Sequence, residues 1–188
     1  MCPESRAEDS MTTFIMKMSG GGKLPPRAGG AEIALAWLGS GIAIACIAML
    51  ERCVTGDAGV PLLIGSFGAS AVLAFGATSS PLAQPRNMVG GHFFSSLVGI
   101  GCSMLLPDAT WLAACLAVAT AIAVMLMSGT LHPPGGATAL IAVIGGENIR
   151  QLGWLYAFVP CLAGSLILLA VALIVNNIPR DRRWPLFW

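Results

Sequence analysis

Residues 58–85, 87–107, 109–146 and 151–179 contain no Asp, Glu, Lys or Arg. A bilayer core is crossed by roughly 20 apolar helical residues, and a charge inside it is costly. A further window, 33–50, is preceded by Glu32 and is otherwise free of charge. These windows hold at least four crossings and two shorter apolar elements. Only 10% of the 188 residues are charged and 56% are hydrophobic, whereas a soluble domain devotes about a quarter of its residues to charge. A water-soluble globule and a disordered chain are both excluded. A net charge of +1 excludes a nucleic-acid partner, which needs a concentrated basic face. The expected fold class is all-α, a polytopic transmembrane helix bundle with two broken or re-entrant short helices.

Three regions are expected. Residues 1–30 form a polar, Gly-rich leader without the apolar core of a secretory signal. Residues 31–178 form the membrane domain, and 179–188 a basic and aromatic tail suited to lipid headgroups. Crossings are expected at 33–50, 91–106, 110–127 and about 154–175. Block 60–78, interrupted by Gly65, Gly68 and Gly76, and the run 137–144 are too short or too broken to span as regular helix. Residues 79–89 and 128–136 are expected to be non-helical because of their Pro and Gly. Four crossings with two re-entrant segments satisfy the pattern, and so do six crossings. Basic residues at both ends place both termini in the cytoplasm, in a membrane expected to be a bacterial inner membrane.

Gly68-Ala69-Ser70-Ala71-Val72-Leu73-Ala74 aligns without a gap with Gly136-Ala137-Thr138-Ala139-Leu140-Ile141-Ala142, 68 residues later. The alignment suggests a duplication, with units 31–106 and 107–176 related by a two-fold axis, inverted if each element crosses. Pro134 suits the first turn of a helix. The N–H groups of Gly135, Gly136 and Ala137 are then expected to be free donors, as are those of Gly68, Ala69 and Ser70. Two facing helix starts would offer partial positive charge to a small anion. The candidate site is therefore Gly68, Ala69, Ser70, Gly135, Gly136, Ala137 and Thr138. Pro133 and Pro134 stiffen the approach, His132 tunes it, and Arg86 draws anions toward it. Bulk at Gly136 is expected to block the site.

Other residues receive plainer readings. His92 is read as interfacial or packing, and Arg150 as a headgroup contact or anion vestibule. Glu32 and Asp108 are read as solvated, and Ser66, Ser95 and Ser96 as weaker candidates. Trp111, Trp154 and Trp184 are read as interface anchors. Cys46, Cys102, Cys115 and Cys161 lie in apolar runs and read as small packing residues. No nucleotide motif, carboxylate pair or Ser-His-Asp set is recognisable, so neither an enzyme nor a cofactor is expected. Two histidines without acidic or thiol neighbours predict no metal site. The expected partners are a small inorganic anion, membrane lipids and a homo-oligomer.

The stretch Leu131-His132-Pro133-Pro134-Gly135-Gly136-Ala137-Thr138-Ala139-Leu140 resembles the signature of the HPP family of integral membrane proteins. Residues 65–73 and Ser80-Pro81-Leu82-Ala83-Gln84-Pro85-Arg86-Asn87 resemble that family's other recurrent segment. The resemblance covers roughly 31–178. It implies a bundle described as having four transmembrane helices. It also implies nitrite transport, a function attached to chloroplast and cyanobacterial members, within the broader class of small monovalent anions. The competing expectation is a membrane assembly or regulatory protein without transport.

Overall fold

The computed structural model describes residues 13–14, 16–18, 22, 24, 26–55 and 62–188. Most of the expected leader therefore lies outside the described residues. Among those described, every regular element is helical. Helix α1, Gly30–Thr55, carries Glu32 in its first turn and Arg52 in its last, which matches the helix dipole. Helix α3, Pro85–Leu105, begins at a proline, where the missing N–H has no intrahelical partner to lose. It starts six residues before the sequence reading placed it, because Pro85 opens the helix rather than interrupting it. Helix α4, Thr110–Ser128, ends on Gly129 in the left-handed region (φ 65°). Thr130 N–H closes that end on the Met125 carbonyl at 2.8 Å, as a C-terminal cap does.

The last span, Ala157–Val175, opens with a wide π-type turn at Ala157–Leu162 around Pro160. After the short helix α6, Glu147–Leu152, proline removes an N–H from the helical ladder, so the regular helix α7 begins only at Ala163 and ends at Val175. Four helices, Gly30–Cys53, Pro85–Leu105, Thr110–Ser128 and Ala157–Val175, are long and apolar enough to cross a membrane.

Two shorter apolar helices complete the bundle. Helix α2, Gly65–Ala71, continues through a π-turn to Gly76. Helix α5, Pro133–Ile144, includes the two prolines in its first turn, so the helix starts inside the segment expected to be irregular. Its 12 residues rise about 18 Å, short of a bilayer core. Each short helix nevertheless joins opposite ends of the bundle. Near the end of α1, Leu63 N–H bonds Glu51 Oε2 at 2.7 Å just before α2 begins. Close to the far end of α2, Asn176 Nδ2, following α7, bonds the Ala74 carbonyl at 2.9 Å. That end also holds the Arg182–Glu32 ion pair (3.3 Å), the Arg86–Ser128 contact and the Leu186–Gln84 contact. At the opposite end, Ser103, Leu106, Pro107, Thr110, Val143 and Arg150 line one small cavity of about 60 Å³. The path therefore changes ends at α1, α2, α3, α4, α5 and again at α7. The start of α1 and the C-terminal tail lie at the same end.

Helix α3 is central. It packs against α4, α5 and the Ala157–Leu162 turn, while α7 packs against α1 and α2. Gly91, Ser95 and Gly99 recur every four residues and so share one face of α3. A Cβ on Gly99 would lie 2.5 Å from the Ala139 carbonyl oxygen, and one on Gly135 2.9 Å from that of Gly91. Small residues on both helices let the backbones touch.

The tail corrects one expectation. Trp184 is only 2% exposed and is not an interface anchor. Asn177 captures its backbone on both sides, accepting from Trp184 N–H at 2.9 Å and donating to its carbonyl at 2.6 Å. Leu186 N–H then bonds Gln84 Oε1 at 2.8 Å. Trp111 and Trp154, by contrast, are 73% and 51% exposed.

Candidate functional site

On α2, Ser66 and Ser70 are four residues apart and share the inward face. His92 on α3, His132 at the cap of α5 and Thr138 within α5 meet them. All five are at most 1% exposed. Ser70 Oγ lies 2.7 Å from His92 Nε2 and 2.9 Å from His132 Nε2. His92 Nδ1 lies 2.7 Å from Thr138 Oγ1, which is 2.9 Å from Ser66 Oγ and 3.2 Å from the Pro134 carbonyl oxygen. His132 Nδ1 lies 2.8 Å from the Leu82 carbonyl oxygen. The two imidazoles stand edge to face with centroids 5.2 Å apart, and Phe67 stacks edge-on to His92 at 5.1 Å. Tyr156 donates to the Thr138 carbonyl at 3.1 Å. A buried polar group left unmet costs about 1–3 kcal/mol, so five polar side chains buried together require this mutual pairing.

The hydrogens of the neutral cluster follow from one fact. A carbonyl only accepts, so His132 Nδ1 carries its proton toward Leu82. His132 Nε2 is then an acceptor, and Ser70 donates to it. Having spent its one proton, Ser70 accepts from His92 Nε2–H. Pairing every ring nitrogen then requires the Thr138 hydroxyl to turn from Ser66 Oγ and the Pro134 carbonyl toward His92 Nδ1, which accepts. Neutral rings are thus paired only as opposite tautomers.

The structure brings Ser70, His132 and Thr138 together and seats buried Pro134 beside them through its carbonyl. It turns Gly68 outward, where it lines a groove of about 560 Å³ against Trp37, Ser40 and Gly41 of α1. Ala69 is likewise exposed, and so is Pro133. The reason is helix phase: the face that carries Ser66 and Ser70 cannot also carry Gly68. Gly136 and Ala137 are half-buried, and a Cβ on Gly136 would find its nearest neighbour, Val118 Cγ1, at 4.0 Å. The close approach belongs to Gly135, where a Cβ would lie 2.7 Å from Ser95 Oγ and 2.8 Å from Met125 Sδ.

The two helix starts do not face each other. Ser66, early in α2, meets Thr138 well inside α5, whereas Ser70, late in α2, meets the cap residue His132. The helices run antiparallel. Pro133 and Pro134 have no N–H, and Gly135 N–H already bonds the His132 carbonyl at 2.8 Å. Gly68, Ala69 and Ser70 lie beyond the first three residues of α2. The expected array of free backbone donors is therefore replaced by hydroxyls and imidazoles.

Arg86 is exposed, and its Nη2 donates to the Ser128 carbonyl at 2.8 Å, completing the C-terminal end of α4. Beside it, Asn87 Nδ2 donates to the Leu131 carbonyl at 2.8 Å and fixes the approach to His132. Arg150 lies at the other end. His92, read from sequence as interfacial, is the residue that reasoning missed. The available signal was Pro85: a helix opening there puts His92 two turns inside. Ser95 Oγ is buried beside Gly135 and has no hydrogen-bond partner among the described residues. Among the described residues, no group of three or more His, Cys, Asp or Glu is placed to hold a metal ion.

Two Dictyostelium discoideum proteins, each named only as a transmembrane protein, resemble this chain. One is 49% identical over 178 residues, covering 93% of this chain and 57% of the relative. The other is 47% identical over 173 residues, covering 90% and 60%. The chain thus spans less than two thirds of the length of these relatives. No solved structure matches it. The family description "HPP, transmembrane region" matches residues 25–185, so it takes in the whole helical bundle, the buried His-Ser-His cluster and His132-Pro133-Pro134: the chain belongs to the HPP family of membrane proteins.

Proposed function

We propose that this protein is a channel or transporter for a small monovalent anion, with nitrite as the leading substrate, and not an enzyme. The observation that carries the reading is the Ser70 hydroxyl held between two buried imidazoles, 2.7 and 2.9 Å away. Ionisable residues at membrane depth are costly and mark transport paths by default. Hydroxyls and imidazole N–H groups bind a small anion without a fixed cation that would hold it too tightly for release. Ser95, with its unspent hydroxyl beside Gly135, supplies a further donor. In this reading Ser70, His92, Ser95, His132 and Thr138 line the path. Pro133, Pro134, Gly135, Gly136 and Ala137 shape it, Arg86 gathers anions at its mouth, and Gly68 and Ala69 serve α1 packing.

Acyl transfer by Ser70 is disfavoured. Its oxygen already accepts from His92 and donates to His132 in the neutral cluster, and the residue has 0% exposure. The end bearing Arg86, Arg180, Arg182 and Arg183, against Glu32 and Asp181, is assigned to the cytoplasm. The opposite end bears Arg52 and Arg150 against Glu51, Asp108 and Glu147. A bacterial inner membrane and a homo-oligomer remain part of the proposal. The inverted duplication is proposed as well. Long, short and long helices follow one another twice, and α3 packs on α4 and α5 as α7 packs on α1 and α2. Superposition of 31–106 on 107–176 tests it.

The alternative, an assembly protein without transport, is favoured by the nearly complete pairing of the cluster. Flux of nitrite, nitrate, formate and chloride into proteoliposomes separates the two. Protein-dependent flux of none of these anions would sink the transport reading.

A further inference from the structure

The hydrogen-bonded chain Ser66–Thr138–His92–Ser70–His132 has a property that anion binding alone does not require. It has two fully paired arrangements when it holds one extra proton. In the first, His92 is the imidazolium. Its Nε2–H donates to Ser70 and its Nδ1–H to Thr138, while the Thr138 hydroxyl turns to Ser66 Oγ or to the Pro134 carbonyl, 2.9 and 3.2 Å away. In the second, the His92 Nε2 proton has passed to Ser70 Oγ, and the proton of Ser70 has passed to His132 Nε2. His132 is then the imidazolium, donating to Ser70 and to the Leu82 carbonyl. Ser70 now donates to His92 Nε2, and His92 keeps Nδ1–H on Thr138. One proton enters, one imidazolium remains, and no donor loses its acceptor at either stage.

A second proton has no such place. Both Nε2–H groups would converge on Ser70, whose own hydrogen would lose its acceptor. Two like charges would also face each other across rings 5.2 Å apart.

The surroundings contain few competitors. The groups around the two rings are Ser66, Phe67 and Ser70 from α2, Thr138 from α5, the Leu82 carbonyl from the loop after α2, and Tyr156, which bonds the Thr138 carbonyl. Cys161, fully buried, packs in the same core cluster as Tyr156 beyond them. Arg86 is exposed and turned toward Ser128. The hydrogen-bond partners of the rings are hydroxyls and one carbonyl, so an added proton would be uncompensated in the apolar interior. A monovalent anion beside it would cancel that charge.

We infer that this chain is a proton-transfer site that holds a single proton shared by His92 and His132, and that the anion moves together with that proton as an electroneutral pair. The second clause rests on the transport reading above; the first does not.

Two measurements test it on the full chain. Long-range proton–nitrogen spectra of histidine-labelled protein in nanodiscs report only these rings, because the chain has 2 histidines. At neutral pH the expected state is Nδ1–H for His132 and Nε2–H for His92, and acidification of the folded protein should add one proton to the pair. Ser70→Ala, if folded, should let the rings titrate independently. Like tautomers in the wild-type protein, or uptake of two protons, would overturn the proton site. In proteoliposomes with an internal pH dye, a nitrite gradient should move protons with the anion. Protein-free liposomes correct for passive leak. Fixing the membrane potential with potassium and valinomycin should leave nitrite flux unchanged, whereas an unaccompanied anion would respond by about tenfold or more. Potential-driven flux without proton movement would overturn the symport and leave transport standing. Absence of flux for every anion would overturn transport and symport together, and the spectra would still decide the proton site.

Discussion

Ser70 Oγ lies 2.9 Å from His132 Nε2 although the residues stand 62 positions apart. The contact ties the end of α2 to the cap of α5, and the same oxygen holds His92 of α3 at 2.7 Å. One hydroxyl therefore joins three elements at the centre of the bundle.

Ser70→Ala should be destabilising beyond the loss of an oxygen atom. It strands two imidazole nitrogens in an apolar interior, at about 1–3 kcal/mol for each unmet group. Thermal unfolding in detergent should show a clearly lowered midpoint, with anion flux lost at matched incorporation. An unchanged midpoint would show that the rings find other partners.

Gly135→Ala should damage the protein more than Gly136→Ala. The added carbon at Gly135 meets Ser95 Oγ at 2.7 Å and the Gly91 carbonyl oxygen at 2.9 Å, whereas at Gly136 the nearest atom is 4.0 Å away. Overpacking of this kind costs about 1–3 kcal/mol. Monodispersity and melting of the two variants, side by side, check the order; equal behaviour would contradict the α3–α5 contact.

Thr138→Val keeps the shape of the side chain and removes the donor to His92 Nδ1. The expected outcome is a folded protein with weakened flux and a loss of about 1–3 kcal/mol. Thr138→Ser should restore both. Loss of flux in the Ser variant as well would point to the methyl group and away from the hydroxyl.

Single cysteines placed in a cysteine-free background should report the path of the chain. Positions 79 and 182 should label from one side, and 108 and 148 from the other. Labelling of 79 from the side of 108 would mean that α2 returns to the face it entered and would refute the path drawn here.

Trp184→Ala should lower stability by about 3–5 kcal/mol, as removal of a buried aromatic does, while Trp111→Ala should change little. The contrast follows from exposures of 2% and 73% and is readable by unfolding in one detergent.

Much of this architecture was legible in the chain alone. Charge-free windows of spanning length determined the membrane class and the four long helices, because a charge cannot be left in hydrocarbon without a partner. Breaks at Gly and Pro located the two short helices, and the His132-Pro133-Pro134 triplet with its following glycines, together with the upstream segments 65–73 and 80–87, carried the resemblance to the family. The tertiary structure decided which polar groups meet. Whether Ser70, Gly68 or Ala69 faces inward depends on the phase of α2 against its neighbours. His92 enters the core only because α3 opens at Pro85 and packs on α5. The antiparallel order of α2 and α5 exchanged the expected pair of helix starts for a chain of side chains. Such contacts join residues 22 to 72 positions apart; local periodicity says which face of a helix is apolar, but not which face of another helix will lie against it.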